Sequence, residues 1–327
     1  MRKKRIAFFI PLLGCGRRCI YCDQRAITQD AETGGAATPL TVREVLAGQD
    51  APVELCYFGG SFARVSRPLM IDFLDAANAA PMGSTITFSS YPGDFDGGYG
   101  LETIATLKKY PIETIELGIP SMDSAVLERC GRGGNSETIE LAVKRLRDNG
   151  FHLGIQMMIG LPGQTEDSVM SDISDLASLM PAGEKWSFRL YPCLVLEGTE
   201  LEAMYRRGEY RPLELEEAAR MSGKLMLEAE YRGFNVIRVG LPESESLKKS
   251  VLAGPYHPAF GELALSEKTA LSLFAQNPQG PWVTERKNIS HLTGHGARGI
   301  RRLAELSGMK EKEARALWHS RRLSLPN

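Results

Sequence analysis

IAFFIPLLGCGRRCIYC, residues 6–22, decides how the whole chain is read. Behind Met1-Arg2-Lys3-Lys4-Arg5 it has the outline of a bacterial export signal: a basic start, a short apolar run, and small residues ahead of a lipid-bearing cysteine, Cys15. It equally has the outline of a buried strand that delivers Cys15, Cys19 and Cys22 to one metal cluster. The export outline leaves Cys19 and Cys22 without a purpose, takes away a strand, and places Pro11 in an apolar core already short for a signal. The segment is therefore expected to be a strand, with Met1–Arg5 as its solvated start.

Working outward, the 327 residues suffice for one large α/β unit and a smaller one. A hydrophobic content of 43% and a charged content of 24% suit a soluble globular chain. No apolar run approaches the roughly 20 residues that span a bilayer, so a cytoplasmic protein with no membrane partner is expected. The net charge of −1 is unevenly placed: residues 286–327 carry an excess of seven positive charges, and the remainder is acidic. Six cysteines in a chain of this length do not make a disulfide framework, and three of them fall within eight residues.

Apolar, β-rich runs at Ile6–Leu12, Val53–Phe58, Thr85–Ser89, Thr114–Ile119, Leu153–Ile159 and Ser187–Tyr191 alternate with helical stretches. Ile139, Ala142, Val143 and Leu146 form one helical stripe, closed by Asn149-Gly150. The strand runs are mostly continuous, as expected of strands buried on both faces. Six β–α alternations predict parallel strands with right-handed crossovers and an α/β fold, a partial (β/α)6 TIM-type barrel. Its chemistry would lie at the C-terminal strand ends. Leu213–Phe234 reads as one long helix and Asn235–Leu241 as a further strand. After Gly254 the chain reads as loop-rich and then basic and helical. A boundary near residue 200 divides a barrel, 1–200, from a C-terminal accessory region, 201–327.

Cys15, Cys19 and Cys22, spaced C-x3-C-x2-C, follow the first strand, where such a barrel carries its site. Three thiolates can hold three irons of a [4Fe–4S] cluster and leave the fourth iron open. Arg17 and Arg18 would lower the thiolate pKa values and offset the cluster's charge. A structural zinc site needs a fourth ligand, which the neighbouring sequence does not offer. Cys56, Cys130 and Cys193 are far apart and read as buried thiols.

The three-cysteine spacing after a first strand resembles the radical S-adenosylmethionine superfamily, over roughly residues 5–195. Within it, the motifs are similar to those of the Elongator catalytic subunit's radical domain and the oxygen-independent coproporphyrinogen oxidases. The resemblance implies an oxygen-sensitive enzyme with a [4Fe–4S] cluster and S-adenosylmethionine as cofactors. Cleavage of S-adenosylmethionine would yield a 5′-deoxyadenosyl radical that takes hydrogen from a substrate. It also implies a reductant such as flavodoxin or ferredoxin. Tyr21 occupies the aromatic position before the third cysteine, and Gly59-Gly60-Ser61 the position that holds the methionine amino group. Arg132, in CGRGG, is the candidate for the cofactor carboxylate. The family's ribose-binding glutamate falls on Ser89; Gln156 and Glu116 are candidates for the same hydroxyls, and Met158 for the adenine. Pro120 stands where the family has glutamine. Thr165 reads as a helix N-cap with Asp167 and Ser168 in the first turn, and Arg189 and Tyr191 as residues that face the barrel interior.

In GPYHPAFGEL, residues 254–263, His257 and Glu262 are candidate acid–base groups. LTGHGARGI, residues 292–300, resembles the hairpin of helix-hairpin-helix modules and lies within the basic stretch 286–327, which makes RNA, most plausibly tRNA, a candidate substrate held by that stretch. A small molecule such as a tetrapyrrole is the alternative, with the basic stretch structural. An iron–sulfur or zinc protein that only binds a partner is the non-enzymatic alternative.

Overall fold

Ile6 and Phe8 are both 1% exposed and pack outward against helices, while Arg5, Ala7 and Phe9 between them face the other way. The computed structural model, which describes residues 3–16, 18–24, 26 and 36–320, repeats this alternation through a seven-stranded parallel sheet. Its strands are β1 (Lys4–Phe9), β2 (Val53–Phe58), β3 (Thr85–Ser90), β4 (Ile112–Gly118), β5 (Leu153–Ile159), β6 (Ser187–Pro192) and, after a two-residue strand β7 (Val195–Leu196), β8 (Asn235–Val239). They stand in the order β1-β2-β3-β4-β5-β6-β8, curled into an open half-barrel. The outward positions Leu55, Tyr57, Phe88, Ile115, Leu117, Met157 and Phe188 are fully buried under the helices. Each such large apolar side chain contributes about 1.5–3 kcal/mol.

The sequence expectation is met in kind and corrected in four details. The sheet has a seventh strand, because β8 pairs with β6 in register Arg189↔Arg238. β1 runs from Lys4 to Phe9, and Leu12 lies beyond it with φ 59° in the loop that carries the cysteines. The inner strand faces are mixed, since Glu54, Thr87, Glu116, Gln156 and Arg189 share them with Ala7, Phe9 and Phe58. The stretch after Gly254 contains a 17-residue helix, Phe260–Gln276. Its stiff approach through Pro255 and Pro258 masks the helical period that follows.

The helix starts follow local chemistry. Thr165 accepts from the Ser168 N–H and closes a capping box, as the sequence predicts. Asp123 and Asn135 cap the helices Ser124–Arg129 and Ser136–Asp148 in the same way. Helix Leu215–Tyr231 packs against Phe260–Gln276, which belongs to two cores. Its Phe260 end joins the barrel core, and its Ala270 and Leu273 join a second cluster with Trp282, Leu292, Ile300, Leu303 and Ala314. No helix among the described residues is long and apolar enough to cross a membrane.

The inward polar residues are bound to one another. Glu116, 1% exposed, takes two hydrogen bonds from Arg189 (2.8 and 2.9 Å) and one from Gln156 Nε2 (2.8 Å). Arg5 lies 3.4 Å from Glu116 and 3.1 Å from Glu54, and Thr87 donates to Glu54 at 2.7 Å. Truncating one member of a buried ion pair leaves the other charge uncompensated, a loss of about 3–5 kcal/mol. Glu116→Ala is therefore expected to lose about that much in urea unfolding, and Glu116→Leu combined with Arg189→Met to recover most of it. A Glu116→Ala protein as stable as the parent would show that the network contributes nothing.

Candidate active site

The cysteine loop is held down by backbone contact. Ser61 N–H donates to Leu13 O at 2.8 Å and Ile10 N–H to Phe58 O at 2.8 Å. A Cβ at Gly60 would run into the carbonyl oxygens of Leu13 and Ile10, so only glycine lets the β2 turn pass under the loop. Gln24 accepts from Leu12 N–H and places its Nε2 3.9 Å from Cys15 Sγ. Farther along, Ile20 N–H donates to Cys130 O (3.0 Å) and accepts from Leu201 N–H (2.9 Å) through its carbonyl. Cys22 N–H returns to Cys19 O at 3.1 Å. Arg17, expected to flank the thiols, lies outside the described residues.

At the C-terminal strand ends these contacts frame a cavity of about 380 Å³. Of the residues singled out in the sequence, Cys15, Cys19, Gly59, Gly60, Ser61, Ser89, Arg132 and Gln156 line it together. Arg132 reaches Gly118 O (2.7 Å) and Cys19 Sγ (3.4 Å) and lies over the Tyr91 ring at 4.9 Å, while its buried Nε has no partner among the described residues. Gly131, Gly133 and Gly134, all at positive φ, form the turn that aims it. Burial raises the Cys15 thiol, and burial together with Cys19 and Cys15 pushes Cys22 up to about 12. The free Cys15 and Cys22 thiols therefore hold their protons, and a bound cation has to displace them.

Asp94 and Tyr91, which the sequence reading did not single out, also form the wall, as do Gln24 and Arg64. Asp94, buried, accepts from Ser61 Oγ, and burial pushes its carboxyl up to about 6. Tyr91 N–H donates to Ser61 Oγ at 2.8 Å. Asp94 and Tyr91 come from the turn after β3, where the sequence offered only YPGDF, a signal with no spacing to any other motif.

A second cavity of about 360 Å³ occupies the half-barrel interior and shares Gln24, Gly59, Ser89 and Gln156 with the first. Glu116, Arg189 and Tyr191 line it, as does Cys56, whose thiol is pushed up to about 12 by burial. Tyr21 and Met158 line neither cavity; they pack beside the apolar cluster that buries Cys130 and Cys193. His257 lies on a separate small cavity with Nδ1 accepting from Ala259 N–H at 3.0 Å, and Glu262 stands in the first turn of Phe260–Gln276. The structure therefore keeps both apart from the cysteines. Among the described residues no three His, Cys, Asp or Glu side chains converge on one metal-ion position.

This arrangement recurs in known proteins. The Radical SAM superfamily model matches residues 9–176 and the Radical_SAM C-terminal domain model matches 186–270. The chain belongs to the Radical SAM superfamily. It is 34% identical to a tRNA uridine(34) acetyltransferase of Methanocaldococcus jannaschii over 36% of this chain and 22% of that one. It is 26% identical to the heme chaperone HemW of Lactococcus lactis subsp. lactis over 75% of this chain and 65% of that one. The structure of archaeal Methanocaldococcus infernus Elp3 with an N-terminal deletion superposes with a TM-score of 0.58 at 18% identity, over 84% of this chain and 64% of that one. The chain thus spans between about a fifth and two thirds of the length of these relatives. Members of that superfamily use a [4Fe–4S] cluster and S-adenosylmethionine. The residues present fit that pair: three thiols on one loop, a glycine turn beneath them, and an arginine with an unpartnered buried Nε.

Gly60→Ala tests the docking of the loop directly. The variant is expected to melt at a lower temperature and, after anaerobic reconstitution, to hold less than about half the iron of the parent, because the added methyl separates the β2 turn from the loop. Parental iron content and melting would refute the close-approach account.

Proposed function

We propose that Cys15, Cys19 and Cys22 carry the [4Fe–4S] cluster, that the 380 Å³ cavity holds S-adenosylmethionine, and that the substrate's reacting group enters the adjoining 360 Å³ interior. The observation that carries this reading is the shared wall of Gln24, Gly59, Ser89 and Gln156, which sets the two spaces side by side. When bound, the cluster and its cofactor supply one-electron reduction and a carbon radical for hydrogen abstraction. The chain's part is to bind, orient and shield. Arg132 offers its Nε to the cofactor carboxylate. The Ser61–Asp94 pair and the Gly60 backbone receive the ammonium group. Ser89 and Gln156 hydrogen-bond the ribose hydroxyls, with Gln156 oriented by Glu116. The one-electron donor is a flavodoxin or ferredoxin.

For the substrate, the geometry favours a small molecule. Two arginines of the basic stretch expected to grip RNA are paired: Arg298 with Glu216 at 2.9 Å, and Arg302 with Glu267 at 2.9 Å and Glu305 at 2.9 Å. Each such pair lowers the positive field that would condense on a polyanion. Residues 321–327 of that stretch lie outside the described residues. The second reading, a tRNA substrate, is supported by the likeness to the tRNA uridine(34) acetyltransferase and by the turn at Gly294–Ala297 between two helical segments.

Electron paramagnetic resonance of the anaerobically reconstituted, dithionite-reduced protein tests the first part. The spectrum is expected to shift on adding S-adenosylmethionine and to vanish in the Cys15→Ala, Cys19→Ala, Cys22→Ala protein; a signal indifferent to the cofactor refutes it. The substrate class is separated by filter binding of tRNA to the parent and to Arg301→Glu, Lys310→Glu, Lys312→Glu. The small-molecule reading expects weak binding that the triple variant leaves unchanged. A loss of about tenfold or more, with a steep salt dependence, would establish the RNA reading instead.

A further inference from the structure

The charges of the half-barrel interior do not balance. Three arginines, Arg5, Arg189 and Arg238, face it. Arg189 is matched by the two-point contact with Glu116, and Arg5 by Glu54 at 3.1 Å and Glu116 at 3.4 Å. Arg238 has no carboxylate partner among the described residues; its Nε donates to Gly240 O at 3.2 Å, which leaves both terminal nitrogens of the fork unused.

Its position makes that surplus costly. β6 and β8 pair in register Arg189↔Arg238, so two like charges stand on adjacent strands at the same level. Like charges placed directly opposite in a sheet destabilise it. Glu116 is already committed to Arg189, Arg5 and Gln156, so it cannot serve Arg238 as well. Arg238 is only partly buried, lines the interior with Tyr191, Leu241 and Pro242, and does not line the cysteine cavity. A planar cation with free donors, set on the wall of a cavity that already contains aromatic surface from Phe58, is suited to an oxyanion on a small ring or chain.

We infer that Arg238 is the anchor for an anionic group of the substrate, a carboxylate or a phosphate, and that the enzyme acts on a compact anionic molecule held by that group with its reacting end toward the cysteine cavity. The inference rests on the proposed placement of the substrate in the barrel interior. The matched pairs Arg5–Glu54 and Arg189–Glu116 would then be structural, and the single unmatched cation would read one negative charge.

The test is anaerobic calorimetry on the reconstituted holoenzyme with S-adenosylmethionine present. The probes are benzoate, phenyl phosphate and the neutral analogue benzamide. At least one of the two anions is expected to bind about tenfold or more tightly than benzamide, the size of one charge-assisted contact; which anion binds more tightly tells carboxylate from phosphate. Arg238→Gln is expected to bring anion and amide within about twofold of one another, and Arg238→Lys to retain a preference. Iron content and melting temperature of both variants show that they are folded. The inference is overturned if benzamide binds as well as both anions, if no probe binds, or if Arg238→Gln keeps the preference. Reductive cleavage of S-adenosylmethionine by the parent, measured separately, fails only if the assignment of the cofactor cavity fails, so the two results are distinguishable.

Discussion

One carboxylate ties the inside of the half-barrel together. Glu116 stands on β4 and holds Arg189 of β6, Gln156 of β5 and Arg5 of β1, while Arg5 reaches on to Glu54 of β2, which in turn accepts from Thr87 of β3. An incomplete barrel has a wide interior that cannot be filled by apolar side chains from one curved sheet alone. Filling it with charges is tolerable only when each is paired, since an isolated buried ion is far costlier than an apolar residue. The strands are thus joined twice, outside by apolar packing under the helices and inside by this chain of contacts.

The site is built on the consequence. Because the interior holds paired charges and is not packed solid, space remains at the C-terminal strand ends and within the sheet's curve. The cysteine loop is closed over that space by main-chain hydrogen bonds and by the tight passage of Gly60 beneath Leu13. Arg132 is brought in from the β4 side on a turn of three glycines. Its guanidinium is fixed by a carbonyl, a thiol and an aromatic face, so one nitrogen is left to address a ligand. Rigid support of this kind is what a reactive centre needs, since misplacement by about 1 Å costs orders of magnitude in rate.

The C-terminal region shows how a charge run is reinterpreted by its surroundings. Residues 286–327 are strongly basic in the sequence, yet Arg298 and Arg302 face acidic side chains of the helices Leu215–Tyr231 and Phe260–Gln276. Glu267 is buried, and burial raises its carboxyl while Arg302 opposes the shift. Two arginines of the basic stretch thus answer acidic side chains of the preceding helices. The proposed preference for a small substrate over RNA follows from that use of the charge.

Much of this was legible in the order of residues. Local periodicity located the sheet strands to within a few residues, because apolar side chains must cover the helix-facing side of each one. The C-x3-C-x2-C spacing, the paired glycines at 59–60 and Arg132 in CGRGG marked the site, because that chemistry needs those residue types at short range. What lay out of reach depended on contacts between distant segments. Asp94 and Tyr91 join the cavity only because β3 ends beside the β2 turn, and Glu116 is drawn into an ion pair by an arginine 73 residues away. His257 and Glu262 looked reactive in their loop, but the fold sets them away from the cysteines. The sequence by itself determined the strands, the helix caps and the residue types able to hold a cluster, since these follow from covalent neighbours. Which polar groups are paired was decided only by the tertiary structure, because pairing is a property of distance in space.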